Sequence, residues 1–524
     1  MTTALRVDAS RSSIAYRTLW AVIALTAIAM TVQTSSVNYS PDSWSYVDIA
    51  RSLTDPDRAI GSILGARDYV NEPWFNDSFP FLWPALLAPG IALWGPTSPI
   101  GGYLFIVVWL LTCLVVDRMA RFLLLPRVAG PVLGLAVLGL PGYVDEGQNG
   151  RSIPLNVLLA LSAAYVLLKM RDRDGFLLPL VLGTLTGLCA ANRFDSLAYG
   201  PIFIFIAWRL RFMDWRQVAV ASLTWVAFPL VWVGYSSARL GGIYVTDNGR
   251  VVTSPVPTFV TDWPGAVPDR AGGVPAVVAR AFGNAHVVAW SVGHAFLWWM
   301  LAALTASLVA IVLVQVRAGR CSRALARWIA GARSRPQWRA VDLLAYLALG
   351  LGALQMLLML ASGYGDPRYW DTTSSIVLVA IAGTAGSLCA STSVESLTRR
   401  RLWLVSTTSG FLTLIAALGL LQTAQAFRTS ADQTAGDAAV VSCISRVDGT
   451  VMFSGREAFR IPATTRFRAA SPPANTAEMA AADWTDLKDQ YGVVAWYNSS
   501  GGPEGQLPTA AEGILDDLEC PAGT

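Results

Sequence analysis

The stretch SPDSWSYVDIARSL, Ser40 to Leu53, directly follows an apolar run from Thr18 to Val37, and its reading places everything else in the chain. Ser40 is a capping residue, Pro41 suits the first helical position, and Asp42 falls in the first turn, where the helix dipole favours negative charge. The stretch therefore predicts a short helix. If the run before it crosses a membrane, Asp42 and Asp48 emerge together on the far side, beside the headgroups. The two acids are six residues apart, about 240° around an ideal helix, so they share a face only if the helix ends between them. One acid rather than both is expected to act.

Working outward, the 524 residues are 54% hydrophobic and 14% charged and include 20 Trp, too apolar for an ordinary soluble protein and fitting a polytopic membrane protein. The net charge of +4 is small, and no Lys/Arg block is interleaved with aromatics. Nucleic acid is thereby excluded as the expected partner. The amino-terminal MTTALRVDASRSSIAYR is basic and leads into the first apolar run without a clear small-residue cleavage site, so a retained first span is expected.

Charge-poor apolar runs predict about eleven spans: residues 18–37, 100–116, 128–144, 152–168, 176–192, 196–208, 217–235, 287–315, 343–362, 372–390 and 402–422. With the amino terminus in the cytoplasm, the inward segments carry 22 of the 39 Lys and Arg residues, and the outward segments before the tail carry ten. The positive-inside rule supports this orientation. Residues 78–116 carry no charge. Counting Phe79–Leu93 as a further span would turn every later arginine-rich loop outward. This Pro-rich stretch is therefore expected to be a juxtamembrane helix on the outer face.

After Gln422 the composition shifts to charges, Pro and Gly. The runs TVMFSG (Thr450–Gly455) and YGVVAWYN (Tyr491–Asn498) read as strands, and Thr476–Gln490 as a helix between them. The expected organisation is a membrane domain over residues 1–422 and a small α/β domain over 423–524. An odd number of spans puts that domain outside the plasma (inner) membrane. Cys443 and Cys520 are the only cysteines of this tail; an oxidising compartment lets them pair as a disulfide.

Four short outward segments gather ionisable residues at span ends: Asp42 and Asp48; Asp145, Glu146 and Arg151 in DEGQNGRS; Arg193 and Asp195 in ANRFDS; and Asp366, Arg368 and Asp371 in GYGDPRYWD. A charge at a helix centre costs about 2.5–3.5 kcal/mol, so charges near a membrane pair with one another or line a functional cavity. Arg151, Arg193 and Arg368 also run against the inward bias of the other arginines. Carboxylates beside arginines suit transfer from a phosphate leaving group: a carboxylate accepts the proton of an acceptor hydroxyl, and guanidinium groups hold the departing phosphate. No cofactor is required for that chemistry. Trp44, Trp74 and Trp370 lie in outward segments, where Trp is expected mostly as interfacial belt.

On these residues the chain resembles the type C membrane glycosyltransferases (the GT-C fold), whose members using polyprenyl- or dolichyl-phosphate sugars include protein O-mannosyltransferases and lipid A aminoarabinose transferases. SPDSWSYVDIARSL resembles their first outer loop, FPFLWPALLAP their Pro-rich surface helix, and GLCAANRFDSLAYGP their segment with Arg and Asp between two spans. SSARLGGIYVTDNG resembles a later loop, DPRYW their late Arg-Tyr motif, and VMFSGREAFRIPATTR the start of their outer domain.

The resemblance implies a single displacement with inversion at the anomeric carbon of a polyprenyl-phosphate-linked sugar, mannose or a pentose being the first guesses. The acceptor would be an envelope glycan, a glycolipid or a protein. It makes Asp42 the base, with Asp48 ordering the loop or the acceptor. Arg193 and Arg368, with Tyr369 and Arg151, would face the donor phosphate, while Trp44, Trp74, Asp145, Glu146 and Asp195 would serve sugar or acceptor.

Two departures from the family pattern stand out. Family members often carry Lys or Arg just before the surface helix, where this chain has Asn76, Asp77 and Ser78. Some relatives use a divalent ion held by loop carboxylates, and Asp145 with Glu146 could join Asp42 in that role. The two histidines, His286 and His294, are expected to take no part in catalysis. Two other classes compete: a transporter or flippase of lipid-linked sugars, which would carry its charges near mid-membrane in repeated halves, and a non-catalytic envelope assembly protein.

Overall fold

The computed structural model describes residues 2–33, 41–54, 63–65, 74–75, 80–95, 99–140, 142–148, 150–170, 175–240, 336–362, 370–390, 450–453, 468–470, 481–491, 493–497 and 507–518, with the single positions 285, 289, 421 and 447. Most of these are helical: α1 (Thr2–Gln33), α2 (Pro41–Thr54), α3 (Leu82–Trp94), α4 (Ile100–Phe122), α5 (Ala129–Val137), α6 (Tyr143–Gln148), α7 (Ile153–Met170), α8 (Leu177–Asn192), α9 (Tyr199–Arg209), α10 (Trp215–Leu240), α11 (Pro336–Ser362) and α12 (Asp371–Ala390). Among the described residues, four segments are long and apolar enough to cross a membrane: Ser13–Thr31, Ile100–Phe122, Ile153–Met170 and Ala340–Leu360. The membrane location read from composition rests on them. Apart from Ala289 and Leu421, the runs expected at 287–315 and 402–422 lie outside the described residues.

α7 is the central helix, buried without a break from Ile153 to Leu161. α8 packs against both α7 and α10. Small residues permit the second contact: a Cβ at Gly183 would collide with the Ala221 carbonyl oxygen, and one at Gly187 would sit 2.9 Å from that of Trp225. Two glycines four apart on one helix face let backbones meet where no hydrophobic effect drives helices together. α4 continues past its apolar stretch to Phe122. Asp117 and Arg121 pair across one turn at 2.7 Å, and the Tyr16 hydroxyl of α1 donates to Asp117 at 3.4 Å.

Helix α5 is shorter than the run 128–144 suggests. The α-helix stops at Val137, and tighter turns carry the chain to Leu140, with Leu138 N donating to Leu135 O and Leu140 N to Val137 O. That gives roughly 20 Å of rise. Because Leu133 to Leu140 are buried, this helix is walled by protein and need not match the lipid thickness.

Helix α3 covers the Pro-rich stretch. Its 13 residues rise about 20 Å, against a hydrocarbon core of about 30 Å. Both of its ends adjoin one end of the bundle. Near its start the Trp83 indole donates to the Gly150 carbonyl at 2.6 Å. Near its finish Gly90 abuts Ile100 at the beginning of α4. The Phe105 ring, one turn into α4, lies 5.8 Å from Tyr143, which puts that start at the same end as residues 143–152.

A six-stranded sheet has the order β2-β1-β4-β3-β5-β6. The strands β3 (Thr450–Phe453), β4 (Arg468–Ala470), β5 (Val493–Tyr497) and β6 (Asp516–Asp517) come from the tail, and β1 (Ile63–Gly65) and β2 (Trp74–Phe75) come from the loop between α2 and α3. β1 and β2 are antiparallel, and every other pairing is parallel. The two tail strands anticipated from sequence are β3 and β5, and the anticipated helix is α13 (Ala481–Tyr491). α13 buries Trp484 edge-on against Trp496 of β5, the ring centroids 6.2 Å apart. The tail is thus an α/β unit, and its sheet is extended by strands from the first loop.

Candidate functional site

Helix α2 passes through Asp42, Trp44 and Asp48 without ending between the acids. Tyr46, Val47, Ile49 and Ala50 are its buried stripe. Position 42 lies one turn before Tyr46 on that stripe, whereas position 48 is about 200° from Tyr46 around the axis. The backbone therefore separates the two acids.

Three further segments come together at this end of the bundle. Tyr46 Oη and Ser152 Oγ, both buried, are 3.0 Å apart in a hydrogen bond. Asn192, the last residue of α8, donates from Nδ2 to the Ser152 carbonyl at 2.9 Å. Asn156, one turn into α7, donates to Thr372 Oγ1 of α12 at 3.4 Å. The Gly150 carbonyl that receives Trp83 belongs to a turn with φ 66°, the left-handed region that favours glycine. Residues 150–152 are thus the meeting point of α2, α3, α7 and α8.

The ionisable residues sit around this meeting point. Glu146 of α6 is buried and forms an ion pair with Arg151, whose side chain is 16% exposed. Arg193 caps α8 in an extended conformation, its N–H bonded to the Cys189 carbonyl. Its guanidinium meets Asp195 along one edge, Nε to Oδ1 at 3.0 Å and Nη2 to Oδ2 at 3.2 Å. Asp371 opens α12, fully buried, beside the buried Trp370. The described parts of the four segments picked from sequence, α2, residues 146–151, residues 193–195 and Trp370 with Asp371, therefore lie at one end of the bundle.

Asp145 lies in α6, and Trp74 lies in β2 at the edge of the sheet. Arg368, Tyr369, Cys443, Cys520, His286 and His294 lie outside the described residues. Among the described residues no group of three or more His, Cys, Asp or Glu side chains is arranged to hold a metal ion. Glu146, one of the carboxylates the sequence offers to a divalent ion, is engaged by Arg151.

Sequence reading passed over the residues that join the segments: Tyr46, Trp83, Ser152, Asn156, Asn192 and Thr372. Two carried a usable signal. Asn156 interrupts IPLNVLL and Asn192 closes GLCAAN, and an amide in an apolar run must find a partner across the helix bundle.

No family model matches the chain, and no curated protein matches it. Solved structures do. ArnT from Cupriavidus metallidurans, bound to undecaprenyl phosphate, superposes with a TM-score of 0.53 at 13% identity, covering 86% of this chain and 85% of that one. Its apo structure gives 0.53 at 13% identity, over 88% and 86%. The oligosaccharyltransferase of Archaeoglobus fulgidus, in its apo form, gives 0.51 at 13% identity, over 92% of this chain and 69% of that one. Both proteins have the type C glycosyltransferase fold, so the fold expected from the quoted motifs is the fold found.

Proposed function

We propose that this chain is an integral-membrane glycosyltransferase that moves a sugar from a polyprenyl-phosphate donor to an envelope glycan, glycolipid or protein. One observation carries the reading: α2, residues 146–151, residues 193–195 and the start of α12 bring acids and arginines to the same end of a membrane helix bundle. The shared fold with a protein solved with undecaprenyl phosphate supports a lipid-phosphate donor.

In this reading Asp42 is the base. It accepts the proton of the acceptor hydroxyl as the oxygen attacks the anomeric carbon; the bond from that carbon to the phosphate oxygen breaks, and configuration inverts. Arg193, Arg151, Arg368 and Tyr369 receive the negative charge that gathers on the departing lipid phosphate. Asp195 orients Arg193. Trp44, Trp74, Asp145 and Glu146 serve sugar or acceptor, and Asp48 orders the loop. The position of Asp42 on the stripe of Tyr46 favours it over Asp48 as base. The steps as written call for no cofactor, and a divalent ion near Asp42 and Asp145 is left to the resemblance.

The topology proposed with it has about eleven spans, a cytoplasmic amino terminus, a membrane domain over 1–422 and an extracytoplasmic α/β domain over 423–524. The pairing of β1 with β4 supports it: a strand from the loop after the first span lies in one sheet with the tail. Cys443 and Cys520 would then share an oxidising compartment and pair.

The test is transfer by membranes containing the protein, assayed against a panel of polyprenyl-phosphate sugars with mannose and pentose donors first. Asp42→Asn and Arg193→Ala are expected to express normally and lose transfer. Unchanged transfer by both variants rejects the reading.

A further inference from the structure

We infer that Ser152 is a positioning residue: the buried chain Tyr46, Ser152, Asn192 is a strut that sets the distance between the acid-bearing helix α2 and the arginine that caps α8. The inference rests on the transferase reading for its kinetic consequence, though its geometry stands apart from it. Ser152 makes two different contacts. Its hydroxyl meets Tyr46 Oη at 3.0 Å, and its carbonyl accepts from Asn192 Nδ2 at 2.9 Å. Ser152 and Asn192 are fully buried and Tyr46 is 2% exposed, so water cannot substitute for a lost bond at small cost.

Each end of the strut lies next to a residue assigned to the chemistry. Asp42 is one helical turn from Tyr46 along the same stripe. Arg193 directly follows Asn192, at the point where α8 gives way to extended chain. Two neighbouring contacts hold the middle of the strut in place. Trp83 of α3 bonds to Gly150, two residues before Ser152, and Arg151, between them, is anchored by Glu146. A base and a leaving-group ligand on separate helices lose rate steeply when their separation drifts. A short buried link between their carriers is what holds that separation.

The three side chains of the strut are buried within the protein, so its loss should affect the chemical step and spare donor binding. In lipid nanodiscs, Tyr46→Phe and Ser152→Ala are each expected to lower kcat about tenfold while leaving the KM for the lipid-linked donor within about twofold. Because both remove the same bond, the double variant should be no slower than either single one. A second readout does not depend on activity. Spin labels at Leu53 on α2 and Leu197 after Arg193, both surface-exposed, should give a broader distance distribution in Tyr46→Phe and Ser152→Ala than in the parent.

Slower turnover with unchanged KM and a broadened distribution supports the strut. Unchanged kcat with an unchanged distribution, or losses that multiply in the double variant, overturns it. If the parent transfers no sugar from any donor, the transferase reading falls, and the label distances alone then decide for or against the strut.

Discussion

Removing Arg151 should cost far more than removing its partner, and the reason is burial. In the Glu146–Arg151 pair the glutamate side chain is 2% exposed and the arginine side chain 16%. Arg151→Met takes the paired cation from a carboxylate in a site that water barely reaches, a penalty of about 3 kcal/mol. Glu146→Gln leaves a guanidinium on a long stem that already touches solvent and can swing toward the headgroups, a loss of about 1 kcal/mol. Replacing both at once, Glu146→Leu with Arg151→Met, removes the buried charge together with its cation and should return to within about 1 kcal/mol of the parent. The measurement is equilibrium unfolding in mixed micelles of rising SDS fraction, followed by Trp fluorescence. Equal costs for the two single substitutions, or a double variant as unstable as their sum, would refute the argument that the buried carboxylate dominates.

Other consequences follow from contacts elsewhere in the fold. Gly183→Val should force α8 away from the Ala221 carbonyl and cost about 2 kcal/mol, read as a lower unfolding midpoint in detergent. Trp83→Phe keeps the ring but leaves the Gly150 carbonyl without its indole donor; about 1–2 kcal/mol is expected, with faster hydrogen exchange confined to α3 and residues 143–152. Leu64→Cys with Ala470→Cys joins partners in the β1–β4 register and should cross-link under mild oxidation, while Leu64→Cys paired with a cysteine at Arg121, at the opposite end of α4, should not. A failure to form the first link would separate the tail from the loop after α2.

The helices were legible because their signals are local. Pro41 and Asp42 mark the start of α2, and α7 and α8 begin and end within two residues of the apolar runs that announced them. The Pro-rich stretch was harder: composition alone allowed a span, and only the sign of the later loops argued it down. In the structure Trp83 and Gly90 tie both ends of α3 to one end of the bundle. What could not be read was who meets whom. Nothing in the run of residues 63–75 announces strands that join a sheet built some four hundred residues later, because parallel pairing is specified by partners distant in the chain. Nor does Ser152 look different from any serine before a helix, since its partners Tyr46 and Asn192 are 106 residues before it and 40 after it.

The same contrast explains why the acids and arginines could be chosen from sequence while the side chains that hold them could not. A charge at a membrane edge is costly enough to be conspicuous wherever it falls, and Arg151 and Arg193 were visible because they broke the inward bias. Each proves to be held by an acid a few residues away, Glu146 and Asp195. Such local pairing lets an arginine persist near lipid, and it fixes the plane of the guanidinium. The pairs themselves are confined to single turns and cannot bring Arg151, Arg193 and α2 together. That falls to neutral groups, the hydroxyls of Tyr46 and Ser152 and the amide of Asn192, which can be buried between helices at lower cost than charges. The division follows from reach: each arginine is paired with an acid a few residues away in the chain, and the links between separate helices are made by uncharged polar groups.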